Sequence, residues 1–282
     1  MMRDVALGQY YPSNSVLHRI DPRIKILSVI LYIATVFFAD NPLTYLLLLV
    51  YCSAAALVAK IPIKQLAKSL KPLVFIVVFT AFFNVFWTKG ETLLTPEGFF
   101  IKIYLEGIIA AVYMMVRLIC LVVGTLVLIS YTTTPIELTH GLESLLYPLS
   151  KIKVPVHEFA MMMSIALRFI PTLIEETDKI VNAQKARGAD FETGGLIKRA
   201  KAFVPIMIPL FVSAFRRADE LATAMECRCY NGSPNRTRMN VLRIRGRDVA
   251  YFVTVIVLCA LLILCTSKLG LIDYGFLPEA LR

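Results

Sequence analysis

The sequence specifies an all-α polytopic membrane protein with about five transmembrane helices and long amphipathic helices on the cytoplasmic side. Three observations carry that reading. Of the 282 residues, 57% are hydrophobic and 18% charged, against roughly 45–50% and 25% in soluble domains. The apolar residues gather into blocks long enough to cross a bilayer core of about 30 Å. Between the blocks, apolar side chains recur at spacings of three and four, without the strict alternation of a strand. Composition and block length exclude a soluble enzyme, and ordinary counts of Gly (13) and Pro (14) exclude fibrous and disordered classes.

Taken in order, the blocks predict spans at 24–39, 43–59, 70–87, 103–131 and 249–266. The first is not a secretory signal, because no small-residue cleavage site follows it. Instead Asp40, Asn41 and Pro42 form a turn signal that makes the first two spans a tight hairpin. Orientation follows from the basic residues in the short flanks. The N-terminal arm holds Arg3, Arg19, Arg23 and Lys25, and the loop after the second span holds Lys60, Lys64, Lys68 and Lys71. No Lys or Arg lies between spans one and two, and only Lys89 and Lys102 lie between three and four. The N-terminus is therefore expected in the cytoplasm and the C-terminal tail outside. The net charge of +10 belongs to this cytoplasmic bias and implies no nucleic-acid partner.

The expected organisation is a four-span block over 1–131, a cytoplasmic region over 132–247 and a final span with its tail over 248–282. The middle region carries 17 Lys+Arg and 11 Asp+Glu. Two long amphipathic helices are expected in it, at 156–188 and 198–229. Phe159, Met162, Met163, Phe169 and Leu173 lie on the apolar face of the first, Phe203, Met207, Leu210, Phe211 and Phe215 on that of the second. Pro171 is expected to kink the first, and Pro205 and Pro209 to break the first half of the second.

The two helices end alike. Residues 178–188 overlay 219–229 at an offset of 41, with Asp178/Asp219, Ala183/Ala224 and Arg187/Arg228 identical. Each arginine sits between small residues, Ala186 and Gly188 in one case and Cys227 and Cys229 in the other. Small neighbours let a partner's backbone approach, and a guanidinium grips a carboxylate with two parallel hydrogen bonds. Each arginine alone is as compatible with capping its own helix's last carbonyls as with docking. As a pair they favour docking, onto a partner that presents one groove twice, such as a two-fold or pseudo-two-fold dimer.

At this point the chain resembles a known family over essentially its whole length: the transmembrane (T) component of energy-coupling-factor (ECF) transporters. The likeness rests on the leader from Ser15 to Lys25 with His18, Asp21, Pro22 and Arg23, on two Ala-Arg-Gly-type motifs ending long helices, and on their place between four spans and a last one. Ala186, Arg187 and Gly188 match outright. Cys227, Arg228 and Cys229 depart from the pattern, which leaves open any role needing glycine's backbone freedom at 229. The resemblance implies a subunit with no enzymatic activity and no cofactor of its own. Its partners would be two ATP-binding-cassette (ABC) ATPases, a heterodimer or pseudo-symmetric pair that binds the ATP and Mg, together with a small substrate-binding integral membrane subunit and membrane lipid. It implies that the two arginine motifs dock on the ATPases, and that Phe159, Met162, Met163, Phe211 and Phe215 contact the substrate-binding subunit or the membrane surface. Packing of the methionines against the chain's own spans is the alternative. The cargo would be a vitamin or metal ion, and the location the cell membrane.

Among other candidates, Arg117 falls midway along the fourth span, where a charge is costly. It is expected to pair with Glu106 or Asn84 or to line a polar seam, the alternative being a side chain that reaches the interface. His18, His140 and His157 show no ligand spacing, and Cys227 with Cys229 lacks further ligands, so no metal site is expected. The glycosylation patterns at Asn231 and Asn235 fall on the cytoplasmic side, and the segment Gly194–Lys198 lacks phosphate-loop spacing. A conventional ABC permease is the nearest rival. It carries one coupling loop per chain, and two arginine tips argue against it. An intramembrane enzyme would need ionisable pairs that the spans lack, and a passive scaffold is not separable by sequence.

Overall fold

The computed structural model describes residues 10–39, 41–88, 104–189, 191, 195–231 and 242–269. Asp40, Lys89, Lys102, Gly194, Arg3 and the glycosylation-pattern residues after Asn231 lie outside them. The described residues form eight α-helices: α1 (Pro22–Phe37), α2 (Pro42–Val58), α3 (Ile63–Trp87), α4 (Leu105–Thr125), α5 (Pro135–Leu146), α6 (Val156–Ala186), α7 (Leu196–Cys227) and α8 (Gly246–Leu269). No strand pairs with another element among them, as the spacing of apolar residues requires.

The described residues divide into two compact units, 10–141 with 242–269, and 142–231. In the first, α3 packs along α4, and α1, α2, α4 and α8 share one core. Asp21 starts α1 by accepting the Arg23 N–H at 3.0 Å, with Pro22 in the first turn, where its missing donor costs nothing. Tyr32 is the centre of the packing. Its ring lies on Gly124, where any Cβ would overlap it, and its hydroxyl donates to the Cys120 carbonyl at 2.7 Å. The glycine is thus required for α1 to approach α4 closely. Just beyond it α4 widens into a π-turn over Leu126–Ser130, which brings Val127, Leu128 and Tyr131 into the core.

Polar groups close one end of this unit. Lys25 is buried, with Nζ donating to the Thr132 carbonyl at 2.8 Å and Thr133 Oγ1 at 3.0 Å. Asp248, near the start of α8, accepts the Asp21 N–H at 3.2 Å and the Arg245 N–H at 2.7 Å. The leader is laced down around His18, whose Nε2 donates to the Tyr11 carbonyl at 2.9 Å while Nδ1 meets Ser15 Oγ at 2.7 Å. Tyr11 N–H in turn donates to the Tyr131 carbonyl at 3.1 Å.

Length and composition qualify four helices to cross a membrane: α3, α4 with its π-turn, α6 and Gly246–Cys265 of α8. Three of these are expected spans. The other two expected spans, α1 and α2, are 16 and 17 residues long, about 24–26 Å at 1.5 Å per residue. They are shorter than a full hydrocarbon core. α6, expected on the cytoplasmic side, satisfies the length and composition through its first half, before Glu175, Glu176, Asp178 and Lys179. One expectation about proline is corrected. α7, expected to break in its first half, is continuous across Pro205 and Pro209, and α6 stays helical through Pro171. Each proline removes a single donor, and over helices of 31 and 32 residues the remaining ladder holds. The sequence also missed α5. Its signal was present: Thr134 and Glu137 form a reciprocal cap, Thr134 N–H to Glu137 Oε2 at 3.1 Å and Glu137 N–H to Thr134 Oγ1 at 3.3 Å, with Pro135 as the first helical residue.

Candidate functional site: two equivalent arginine tips

The second unit contains the two long helices and both arginines. α6 and α7 pack together through Arg217, which reaches Glu176 at 3.4 Å and lies 5.9 Å from the Phe169 ring centre. Their C-terminal ends have the same construction, residue for residue, at the offset of 41 read from the sequence. α6 ends at Ala186 and α7 at Cys227. Arg187 follows with φ −85° and ψ 7°, Arg228 with φ −90° and ψ 13°. The next residue is left-handed in both, Gly188 at φ 84° and Cys229 at φ 56°. Backbone bonds then close both turns: Gly188 N–H to Lys185 carbonyl at 3.0 Å and Ala189 N–H to Gln184 at 3.0 Å, against Cys229 N–H to Glu226 at 2.8 Å and Tyr230 N–H to Met225 at 3.0 Å. This is the Schellman termination, in which main-chain donors satisfy the helix's last carbonyls.

The question left open at position 229 is thereby answered in geometry. Cys229 adopts the left-handed backbone that Gly188 adopts freely, so the second tip keeps its shape without the glycine. The chemistry of the arginines follows. Main-chain N–H groups take the Gln184, Lys185, Met225 and Glu226 carbonyls, and neither guanidinium hydrogen-bonds its own helix end. Both side chains are exposed and have no hydrogen bond or ion pair among the described residues. Each tip is a turn fixed by main-chain bonds that presents a guanidinium with five donors next to small side chains. Cys227 and Cys229 are exposed free thiols, and among the described residues no cluster of His, Cys, Asp and Glu could hold a metal ion.

The remaining candidates lie elsewhere. Phe159, Met162 and Met163 on α6 and Phe211 and Phe215 on α7 are all exposed, and the Phe211 and Phe215 rings lie 5.9 Å apart. Arg117 is half-buried in the other unit. Its Nε donates to Tyr45 Oη at 2.8 Å and its Nη2 to the Ala39 carbonyl at 2.8 Å, and the guanidinium lies over the Tyr45 ring. Tyr45 Oη itself donates to the same carbonyl at 2.6 Å. The guanidinium thus fastens α4 to the turn between α1 and α2. The expected partners were Glu106 and Asn84; the Ala39 carbonyl leaves no mark in a sequence, and which tyrosine of α2 faces α4 depends on helix packing. Sequence reasoning also missed the pair of His157 Nδ1 with the buried Glu143 carboxylate at 3.0 Å, which links α5 to α6.

Together these features define an all-helical, polytopic membrane protein with a twinned arginine-tipped helix pair. A family model described as cobalt transport protein (CbiQ) matches residues 13–239. A protein of Ruminiclostridium cellulolyticum is 54% identical across 88% of this chain and 92% of its own length. One of Clostridium kluyveri is 49% identical across 98% and 100%, and one of Bacillus subtilis 47% identical across 93% and 98%. All three bear the name energy-coupling factor transporter transmembrane protein EcfT. The chain belongs to this family of transmembrane components of ECF transporters.

Proposed function

We propose that the chain is the coupling subunit of an ECF-type ABC importer, transmitting ATP-driven motion of two cytoplasmic ATPases to a separate membrane subunit that captures a vitamin or metal ion. One observation carries this reading: two helix ends of identical backbone construction, each with an uncommitted, exposed arginine. A pair of like ATPases offers two like grooves, and Arg187 and Arg228 take one each, with Ala186, Gly188, Cys227 and Cys229 leaving room for the groove walls. ATP and Mg act on the ATPases. The exposed apolar residues Phe159, Met162, Met163, Phe211 and Phe215 form the surface for the substrate-binding subunit, and thioethers suit a surface that must repack as its partner moves.

In this reading the block 1–131 and the last span from 248 lie in the cell membrane, and 132–247 is the coupling region. The N-terminus is cytoplasmic, as Arg19, Arg23 and the lysines at 60–71 require under the positive-inside rule. Pull-down of the tagged chain from mild detergent, after co-expression with its source's full gene set, tests the assignment by mass. Two ABC ATPases and one small hydrophobic membrane protein per chain are expected. A homodimer of this chain with two copies of one ATPase would overturn it in favour of a conventional permease.

A further inference from the structure

We propose that one face of α3 is a binding site for an anionic phospholipid, with the headgroup on Lys64, Lys68 and Lys71 and an acyl chain along Phe75, Phe79, Phe82 and Phe86. This inference is independent of the arginine tips. At 3.6 residues per turn these seven residues fall within an arc of about 80°. Val77, the buried residue of α3, points to the opposite side, so the stripe faces away from the helix's own packing.

The three lysines are exposed and carry no hydrogen bond or ion pair among the described residues. They occupy the N-terminal turns of α3, whose first turn has no acidic residue. Cations there oppose the helix dipole, so the arrangement favours an external anion. A topology signal alone needs basic residues in number; it does not need them on one helix face in line with aromatics. Those aromatics are well out of the core: Phe75 is 77% exposed, Phe79 55% and Phe82 57%. Their rings form a ladder along the helix, with Phe75 and Phe79 centred 6.4 Å apart and Phe82 and Phe86 4.5 Å apart.

Charge followed by apolar length selects the occupant. The lysines lie at the cytoplasmic end of the expected span 70–87, and Phe75, Phe79 and Phe82 follow at about 6–16 Å below Lys71 along the axis, roughly one leaflet of a hydrocarbon core of about 30 Å. Phe86 continues the stripe past the bilayer's middle. Free phosphate would engage the lysines and leave the ladder unused. A phospholipid with net negative charge uses both, and juxtamembrane lysines attract such lipids.

Trp87 is the only tryptophan of the chain and stacks on Phe83 at 6.3 Å, at the end of the stripe away from the lysines. It serves as the probe. The full chain is reconstituted in phosphatidylcholine vesicles containing a fixed fraction of lipid brominated near the chain ends, either phosphatidylglycerol or phosphatidylcholine. Brominated phosphatidylglycerol should quench Trp87 more strongly, with an apparent affinity at least about tenfold higher. The triple variant Lys64→Gln/Lys68→Gln/Lys71→Gln should lose that preference, and the triple Lys→Arg variant should keep it. Lys151→Gln/Lys153→Gln/Lys201→Gln, with the same loss of charge at exposed positions elsewhere, should also keep it. Equal quenching by the two lipids, or a preference that survives the triple glutamine variant, would overturn the proposal. So would its abolition by millimolar glycerol phosphate, which would assign the lysines to a soluble anion.

Discussion

Cys229 holds a left-handed backbone at φ 56° that a residue with a Cβ adopts at a cost of about 1–2 kcal/mol. Gly188 adopts the equivalent conformation freely, and nothing lies within 4 Å of where its Cβ would be. The two positions therefore separate backbone strain from contact. Cys229→Gly should stabilise the chain by about 0.5–1 kcal/mol and Gly188→Ala should destabilise it by a similar amount, whereas Cys229→Ala should be close to neutral. Thermal unfolding of the detergent-solubilised chain measures all three, and a drop in Tm for Cys229→Gly would show that its thiol rather than its backbone matters. Arg117 makes a second residue-scale test. It and Tyr45 share the Ala39 carbonyl, and Ala39 is fully buried. Arg117→Leu and Tyr45→Phe should each cost about 1–3 kcal/mol, and the double variant should cost less than their sum by at least about 0.5 kcal/mol. Additive losses would show that the three groups do not act as one cluster.

At the scale of elements, the described glycine with the least room is Gly124, where Tyr32 of α1 rests on α4. Gly124→Ala should overpack this contact, at a cost of about 1–3 kcal/mol, although alanine is the better helix former by about 1 kcal/mol. A rise in Tm would mean that the helices can part without loss. How far such elements were legible depended on what signals them. The apolar blocks of α3, α4 and α8 and the Asn41–Pro42 turn are written in residue type, and the expected ends lie within about three residues of the observed ones, except that α3 starts at Ile63, seven residues before the expected span. The shared ending of α6 and α7 was legible because an arginine between small residues is distinctive at a fixed offset. Lys25 was read as a topological charge and is instead a buried link from α1 to Thr132 and Thr133, since composition does not say which lysine finds a carbonyl. The π-turn after Gly124 and the unbroken course of α7 past two prolines depend on packing along the helix, which local pattern does not encode. α5, at 12 residues too short for a span, is signalled in the sequence by its Thr134–Glu137 cap rather than by an apolar block.

For the whole molecule, the two tips make a prediction about assembly that a single site could not. An arginine paired with an acidic groove, desolvated on docking, is worth about 2–5 kcal/mol, so Arg187→Glu or Arg228→Glu alone should weaken one attachment about thirtyfold or more. If the ATPases remain paired with each other, the intact tip still holds both, because the second contact forms at high effective concentration. Each single variant should therefore copurify with both ATPases while losing them faster on dilution. The double variant has no such reserve and should copurify with neither, yet it should remain folded, since both side chains are exposed and make no contact whose loss would matter to the fold. Dissociation measured by mass after dilution distinguishes the cases. Full loss in one single variant with none in the other would mean that only one tip docks, and the matched geometry of the pair would then be inherited from a duplication rather than used. Retention of both ATPases by the double variant would remove the arginines from the interface altogether and leave the apolar faces of α6 and α7 as the connection.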